Sequence, residues 1–170
     1  RGKLIMACGT GKTFTTLRLA EKFAGKGKKV LYMVPSLALM SQTIRSWKND
    51  ALYDFTAFSA CSDIKVGKRS DTNDVIEVSL NDLAFPATTD SKDLAEQVGN
   101  ADSEKMTVVF STYHSIDVIS KAQLEHGLDE FDLIICDEAH RTTGATLVGE
   151  DESSFVQIHS NENVLGKKRL

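Results

Sequence analysis

Leu4-Ile5-Met6-Ala7-Cys8-Gly9-Thr10-Gly11-Lys12-Thr13 reads as a short apolar strand, a glycine-rich turn and the first residues of a helix. That order is the setting in which a backbone can wrap a phosphate group. The glycines allow a tight turn and direct N–H groups inward. The helix N-terminus adds partial positive charge at the same place. Lys12 has the reach to meet terminal phosphates, and the Thr13 hydroxyl can ligate a magnesium ion. The full pattern Gly-x-x-x-x-Gly-Lys-Ser/Thr asks for glycine where this chain has Met6, a departure that marks a subtype. An incidental Gly-Lys-Thr in an ordinary turn is the competing reading, and the strand–turn–helix setting weighs against it.

A second signal stands more than a hundred residues later. Leu133-Ile134-Ile135-Cys136-Asp137-Glu138 is an apolar run that ends in two carboxylates. In an open α/β sheet, ligands bind beyond the C-terminal ends of the strands, where such a run would deliver its acids. Asp137 suits a magnesium ion, and Glu138 suits the orientation or deprotonation of an attacking water. Acidic residues also favour helix N-termini for electrostatic reasons alone. The phosphate loop upstream tips the balance toward a nucleotide site. His140 follows and would sense the terminal phosphate or relay to the next motif, a solvent-exposed histidine being the competing reading.

Between these two points, apolar runs alternate with helical patterns, as in an α/β fold with a parallel sheet. Helices are expected over 12–24, from Ser36 as N-cap to about residue 49, and over 115–124. The apolar positions Leu37, Met40, Ile44 and Trp47 share one face of the second. Strands are expected over 30–34, 55–60, 106–111 and 131–136. Val30-Leu31-Tyr32-Met33-Val34 is apolar throughout, as expected of a strand covered on both faces. Residues 62–105 are rich in Ser, Asp, Thr, Lys and Asn, with apolar islands at 75–78 and 83–85. They read as an irregular surface excursion with one or two short strands, and with a helix start near Asp90 and Ser91 as a possible cap. A helix over 156–159 and a sixth strand opening at Lys167 complete the reading.

The chain has 170 residues, enough for one domain. A net charge of −4 argues against a polybasic binder that would hold nucleic acid by bulk charge. A motor that grips phosphates with a few amides and hydroxyls is not excluded. Cys8, Cys61 and Cys136 are scattered, and the four His lack zinc-finger spacing, so structural zinc is not expected. Three unpaired thiols suit a reducing cytoplasm. No apolar run approaches the roughly 20 residues needed to span a bilayer. The start at Arg1 reads as a piece of a longer protein.

Four motifs in order carry a family resemblance. Residues 6–13 resemble motif I of superfamily 2 helicases, and Val34-Pro35-Ser36-Leu37-Ala38-Leu39-Met40-Ser41-Gln42-Thr43 is similar to motif Ia. Ser111-Thr112-Tyr113-His114-Ser115 looks like the motif Ib region, and Asp137-Glu138-Ala139-His140 like motif II. The run Asp-Glu-Ala-His-Arg-Thr-Thr-Gly over 137–144 resembles the motors of type I, type III and type ISP restriction enzymes. Cys61-Ser62-Asp63 and Phe85-Pro86-Ala87-Thr88-Thr89-Asp90 resemble the type ISP group.

The resemblance implies a RecA-like P-loop NTPase lobe over 1–170: a parallel sheet with helices on both faces, in three α/β/α layers. It implies ATP and Mg²⁺ as cofactors. Cys8, Gly9, Thr10, Gly11, Lys12, Thr13 and Phe14 would bind nucleotide, Thr13 and Asp137 the metal. Lys12 and Glu138 would be catalytic and His140 would couple. Pro35, Ser36, Gln42, Thr112, Tyr113 and Ser115 would touch nucleic acid, the hydroxyls and amides on phosphates, with Tyr113 and His114 either stacking on a base or packed in the core or at its edge. Partners would be duplex DNA, a second RecA-like lobe, and nuclease or specificity domains, with no membrane. The implied activity is ATP-driven translocation on DNA in a restriction–modification system. RNA remodelling by a DEAH-type helicase and an ATP-dependent switch are the alternatives. Motif III and the arginine fingers of the second lobe fall outside 1–170, so the chain alone is expected to hydrolyse ATP poorly.

Overall fold

Each long apolar run becomes an interior strand. The computed structural model describes residues 2–7, 9–61, 87–138, 158 and 160–170. Its strands are β1 (Lys29–Val34), β2 (Phe55–Ala60), β3 (Ala87–Thr88), β4 (Met106–Thr112) and β5 (Leu133–Cys136). Its helices are α1 (Lys12–Phe23), α2 (Leu37–Asp50), α3 (Ser91–Gly99) and α4 (Ile116–His126), with a 3-10 turn over Tyr113–Ser115. All pairings among the five strands are parallel, in the order β3-β2-β4-β1-β5.

Alternate side chains of each strand feed two separate cores, which is why the runs carry no polar face. Val30, Tyr32 and Val34 point with Phe55, Val108, Phe110, Leu133 and Ile135 toward α1 and α2, meeting Leu17, Met40, Ile44 and Trp47. Leu31, Met33, Val109, Ile134 and Cys136 point the other way, to Leu94, Val98, Ile116, Ile119 and Ala122 of α3 and α4. Sheet and helices thus form the three expected layers. Trp47 stands edge-on to Tyr32, Phe55 and Phe110, with centroids 5.0, 6.1 and 5.6 Å away. Edge-to-face packing favours these rings beyond the area they bury.

Two expectations need correction, and one takes definite form. Where it is described, the stretch 62–105 holds one short strand and a helix. β3 pairs with β2, and Leu94, Ala95 and Val98 of α3 are buried in the core. Over 87–105 the polar residues lie mainly on the exposed face of α3 and in the flanking turns. The islands at 75–78 and 83–85 lie outside the described residues. The cap of α3 is Asp90, not Ser91; its carboxylate accepts from Lys92 N–H at 2.7 Å and Asp93 N–H at 3.0 Å. Those two amides also hold the Asp90 carboxyl below its ordinary range.

Finally, residues 4–7 form no strand. Leu4 is exposed and Ile5 is 91 % exposed. Among the described residues, the backbone bond joining this run to the sheet is Gly2 N–H to Arg169 O, at 2.9 Å. Its apolar letters alone did not settle the matter, because a strand needs neighbours on both its edge and its faces.

The sixth strand is realised only as bridges. Gly166 and Arg169 pair in parallel with Phe131 and Ile134, extending the sheet beyond β5. Ile158 is buried in a turn, while the rest of the expected helix over 156–159 lies outside the described residues, save that single position. Asp132 ties this edge together, accepting from Lys29 N–H at 3.0 Å and Lys167 Nζ at 2.9 Å. Burial alone would raise its carboxyl; these donors more than offset that and lower it.

Candidate nucleotide site

Parallel strands share one C-terminal edge, so the ends of β1, β4 and β5 converge. Val34 is in register with Thr112, and Met33 with Cys136. The next residues are Pro35, Tyr113 and Asp137, so motifs distant in sequence lie side by side. Asp137 N–H donates to Met33 O at 2.9 Å, which anchors the acidic pair to β1.

The glycine loop faces this edge. Gly9 and Gly11 have φ of 75° and 85°, the left-handed region that suits glycine. Open space surrounds the position of a Cβ at both. Thr10 closes the turn through its hydroxyl and N–H on Ala7 O. Among the described residues no side chain caps α1; Gly11 is its N-cap. Lys12, at the helix start, meets Glu138 across the edge, Nζ to Oε1 at 2.9 Å, both side chains about a third exposed. Cys8 and His140 lie outside the described residues.

Asp137 is half-buried. Its carboxylate accepts from Glu138 N–H at 3.0 Å. Burial pushes its carboxyl up, the Glu138 charge adds to this, and the Glu138 N–H, Lys12 and Tyr32 oppose it. Thr16 hydroxyl donates to Thr13 O at 2.9 Å and lies 3.4 Å from the Tyr32 hydroxyl. Trp47 Nε1–H donates to the same Thr13 carbonyl at 3.1 Å. A polar chain therefore runs from the start of α1 to the Tyr32 hydroxyl.

Sequence reasoning counted Tyr32 and Trp47 only as apolar positions. The one available signal was a hydroxyl or an indole N–H within an otherwise aliphatic pattern, since such groups seek partners when buried. Phe14, expected at the nucleotide, is half-exposed, and Arg18 lies over its ring with Cζ 4.5 Å from the centroid.

These residues fit a magnesium nucleotide. An open glycine loop, an uncapped helix start and a cation face two carboxylates. Among the described residues no cluster of three or more His, Cys, Asp or Glu could cage a metal. Magnesium is commonly held by one or two carboxylates together with substrate phosphates, so a single Asp137 and a Thr13 hydroxyl are a suitable donor set.

The nucleic-acid candidates divide. Pro35 and Ser36 are half-buried at the rim, Ser36 Oγ accepts from Leu39 N–H at 3.4 Å as the cap of α2, and Gln42 is exposed. Thr112 and Ser115 are buried, and their hydroxyls pair with each other at 2.8 Å. The ring of Tyr113 is packed in the core, and its hydroxyl donates to Asp137 O at 2.8 Å. The side chain that β4's end exposes is His114.

A profile of the type III restriction enzyme res subunit matches residues 1–166. The chain belongs to that res-subunit family. Among solved structures, this res-type lobe is similar to a DNA-bound, ATP-dependent type ISP restriction–modification enzyme, LlaBIII, at 44 % identity and a TM-score of 0.80. That match covers 99 % of this chain and 11 % of the other. A nuclease-deletion mutant of the type ISP enzyme LlaGI, in complex with a DNA substrate mimic, matches at 44 % identity and a TM-score of 0.79. It covers the whole of this chain and 13 % of that one. A probable helicase of African swine fever virus is 33 % identical over 144 residues, 85 % of this chain. The res-type lobe spans only 14 % of that viral protein's length. The family is therefore that of the type III restriction enzyme res subunit, and the fold is that of the matched part of the type ISP enzymes. No helix among the described residues is long and apolar enough to cross a membrane.

Proposed function

We propose that this lobe is the ATP-binding half of a DNA translocase of the restriction–modification type, working with a second RecA-like lobe and with nuclease or specificity domains. The observation that carries the reading is the Lys12–Glu138 pair, which puts a phosphate-binding cation and a water-activating carboxylate 2.9 Å apart across the glycine loop. The DNA-bound state of both similar type ISP enzymes supports DNA as the track.

Bound magnesium ATP would supply the phosphoanhydride to be broken and a cation that draws charge from its phosphates. Gly9, Thr10 and Gly11 would hold the phosphates by main-chain N–H groups, with Cys8 and Phe14 flanking them. Lys12 would exchange Glu138 for phosphate oxygen. Glu138, so released, would accept the proton of the attacking water. Asp137 and Thr13 would hold the metal. His140 would couple the site to the remaining motifs, and Pro35, Ser36 and Gln42 would meet the DNA backbone.

The test is ATP turnover by the full-length protein carrying this chain, with duplex DNA, single-stranded DNA or RNA, beside Lys12→Ala. Duplex-stimulated turnover that the variant lacks is the expected result. Stimulation by RNA alone would replace the DNA motor with an RNA remodeller, and nucleotide binding without stimulation would replace it with a switch. The 170-residue chain alone is expected to turn over at least about 10³-fold more slowly, the contribution of an arginine finger from another lobe.

A further inference from the structure

Tyr113 joins two sites that the sequence keeps apart. It belongs to the 3-10 turn between β4 and α4, on the segment that motif Ib predicts to lie against nucleic acid. β4 does not pair with β5; β1 lies between them. Tyr113 nevertheless spans that gap, and its hydroxyl donates to the carbonyl of Asp137 at 2.8 Å.

That carbonyl belongs to the peptide linking Asp137 to Glu138. Glu138 has φ of 54°, and among the described residues it alone is non-glycine with positive φ. A left-handed backbone costs an L-residue about 1–2 kcal/mol and persists only when its surroundings impose it. Three contacts impose it here: Tyr113 on the Asp137 carbonyl, the Asp137 carboxylate on Glu138 N–H at 3.0 Å, and Lys12 on the Glu138 carboxylate at 2.9 Å. The first reaches out to the nucleic-acid side. The turn bearing Tyr113 is itself pinned by the buried Thr112–Ser115 hydroxyl pair and carries the exposed His114.

We propose that Tyr113 is a positioning residue that holds the 137–138 peptide, and with it the left-handed Glu138, in this resting geometry even after phosphate has taken Lys12, and that displacement of the 112–115 turn by a bound strand frees Glu138 to act on water. The inference rests on the ATPase reading above and adds to it the residue through which DNA would control hydrolysis. Tyr113 touches neither phosphate nor water in this scheme; it acts through Glu138.

The test is Tyr113→Phe in the full-length protein, which keeps the ring and removes only the hydroxyl. Turnover without DNA is expected to rise about fivefold, what one net hydrogen bond is worth as a rate factor. The DNA-saturated rate should hold, so stimulation falls by the same factor, and by linkage DNA affinity measured separately should rise, by no more than that factor. Thr112→Val, near-isosteric, loosens the turn without touching Tyr113 and should raise the DNA-free rate in the same direction. An unchanged DNA-free rate in both variants would overturn the proposal. So would DNA-free and DNA-saturated rates falling together, the mark of mere structural support. Loss of DNA affinity with an unaltered DNA-free rate would return Tyr113 to a stacking role. If the wild-type protein shows no DNA stimulation, the motor reading itself fails, and this inference with it.

Discussion

At the scale of single residues, the acidic pair splits by backbone as well as by role. Asp137 follows a regular strand and is held by its own surroundings: Met33 O and the Glu138 N–H. Glu138 is left-handed. That gives a comparison free of the lost carboxylate. Glu138→Gly and Glu138→Ala both remove the ion pair with Lys12, but only glycine tolerates the backbone. Glu138→Gly should therefore be the more stable by about 1 kcal/mol in denaturant unfolding, with hydrolysis abolished in both. Equal stabilities would mean the backbone relaxes once Lys12 is released. The thiols of Cys61 and Cys136 are each pushed up to about 11, by burial above all, which keeps them protonated near neutral pH and bears out the expectation of unpaired buried cysteines at these two positions.

At the scale of elements, what distinguishes α1 from α2 and α3 is its start. Ser36 and Asp90 cap the later helices with side chains, whereas Gly11 leaves the start of α1 to the phosphate loop. The sequence showed that contrast plainly, because Ser and Asp are cap residues and Gly-x-Gly is not. The edge beyond β5 was harder to read. It depends on Gly166, where an added Cβ would come within 2.8 Å of Ile134 Cγ1 and closer still to Cδ1. Gly166→Ala should destabilise the chain by about 1–3 kcal/mol by overpacking. Adding Ile134→Val, which removes Cδ1, should recover part of that loss. The measurement is a double-mutant cycle on unfolding midpoints, and strict additivity would show that the two side chains do not meet.

At the scale of the molecule, the sheet separates two cores, and the site sits on the rim shared by both. Tyr32 and Trp47 reach it from the α1/α2 side, Tyr113 from the α3/α4 side. The two cores are expected to unfold together, because every interior strand contributes to each. Trp47 is the only tryptophan and reports on the α1/α2 side. Ile119→Ala, on α4 across the sheet, should cost about 2–5 kcal/mol. It should lower the Trp47 fluorescence midpoint as much as the far-ultraviolet dichroism midpoint. A fluorescence transition that stays in place would mean the two sides melt independently.

Much of this protein is written in local pattern. Apolar runs of five or six residues, broken by glycine-, proline- or cap-initiated helices, specify a parallel sheet buried on both faces, since no other placement satisfies strands without a polar side. Gly9-Thr10-Gly11-Lys12-Thr13 and Asp137-Glu138 announce a nucleotide site because their chemistry is carried by a few adjacent residues. The tertiary structure decided what lies between them. The strand order β3-β2-β4-β1-β5 brings Lys12 to Glu138 across 126 positions, and it alone places the Tyr113 hydroxyl on the Asp137 carbonyl. It also buried Thr112 and Ser115 against each other and left residues 4–7 outside any strand. Periodicity tells which face of an element is apolar. Which neighbour covers that face, and which polar atoms then meet, depends on burial summed over the whole chain, and no short window of sequence contains that sum.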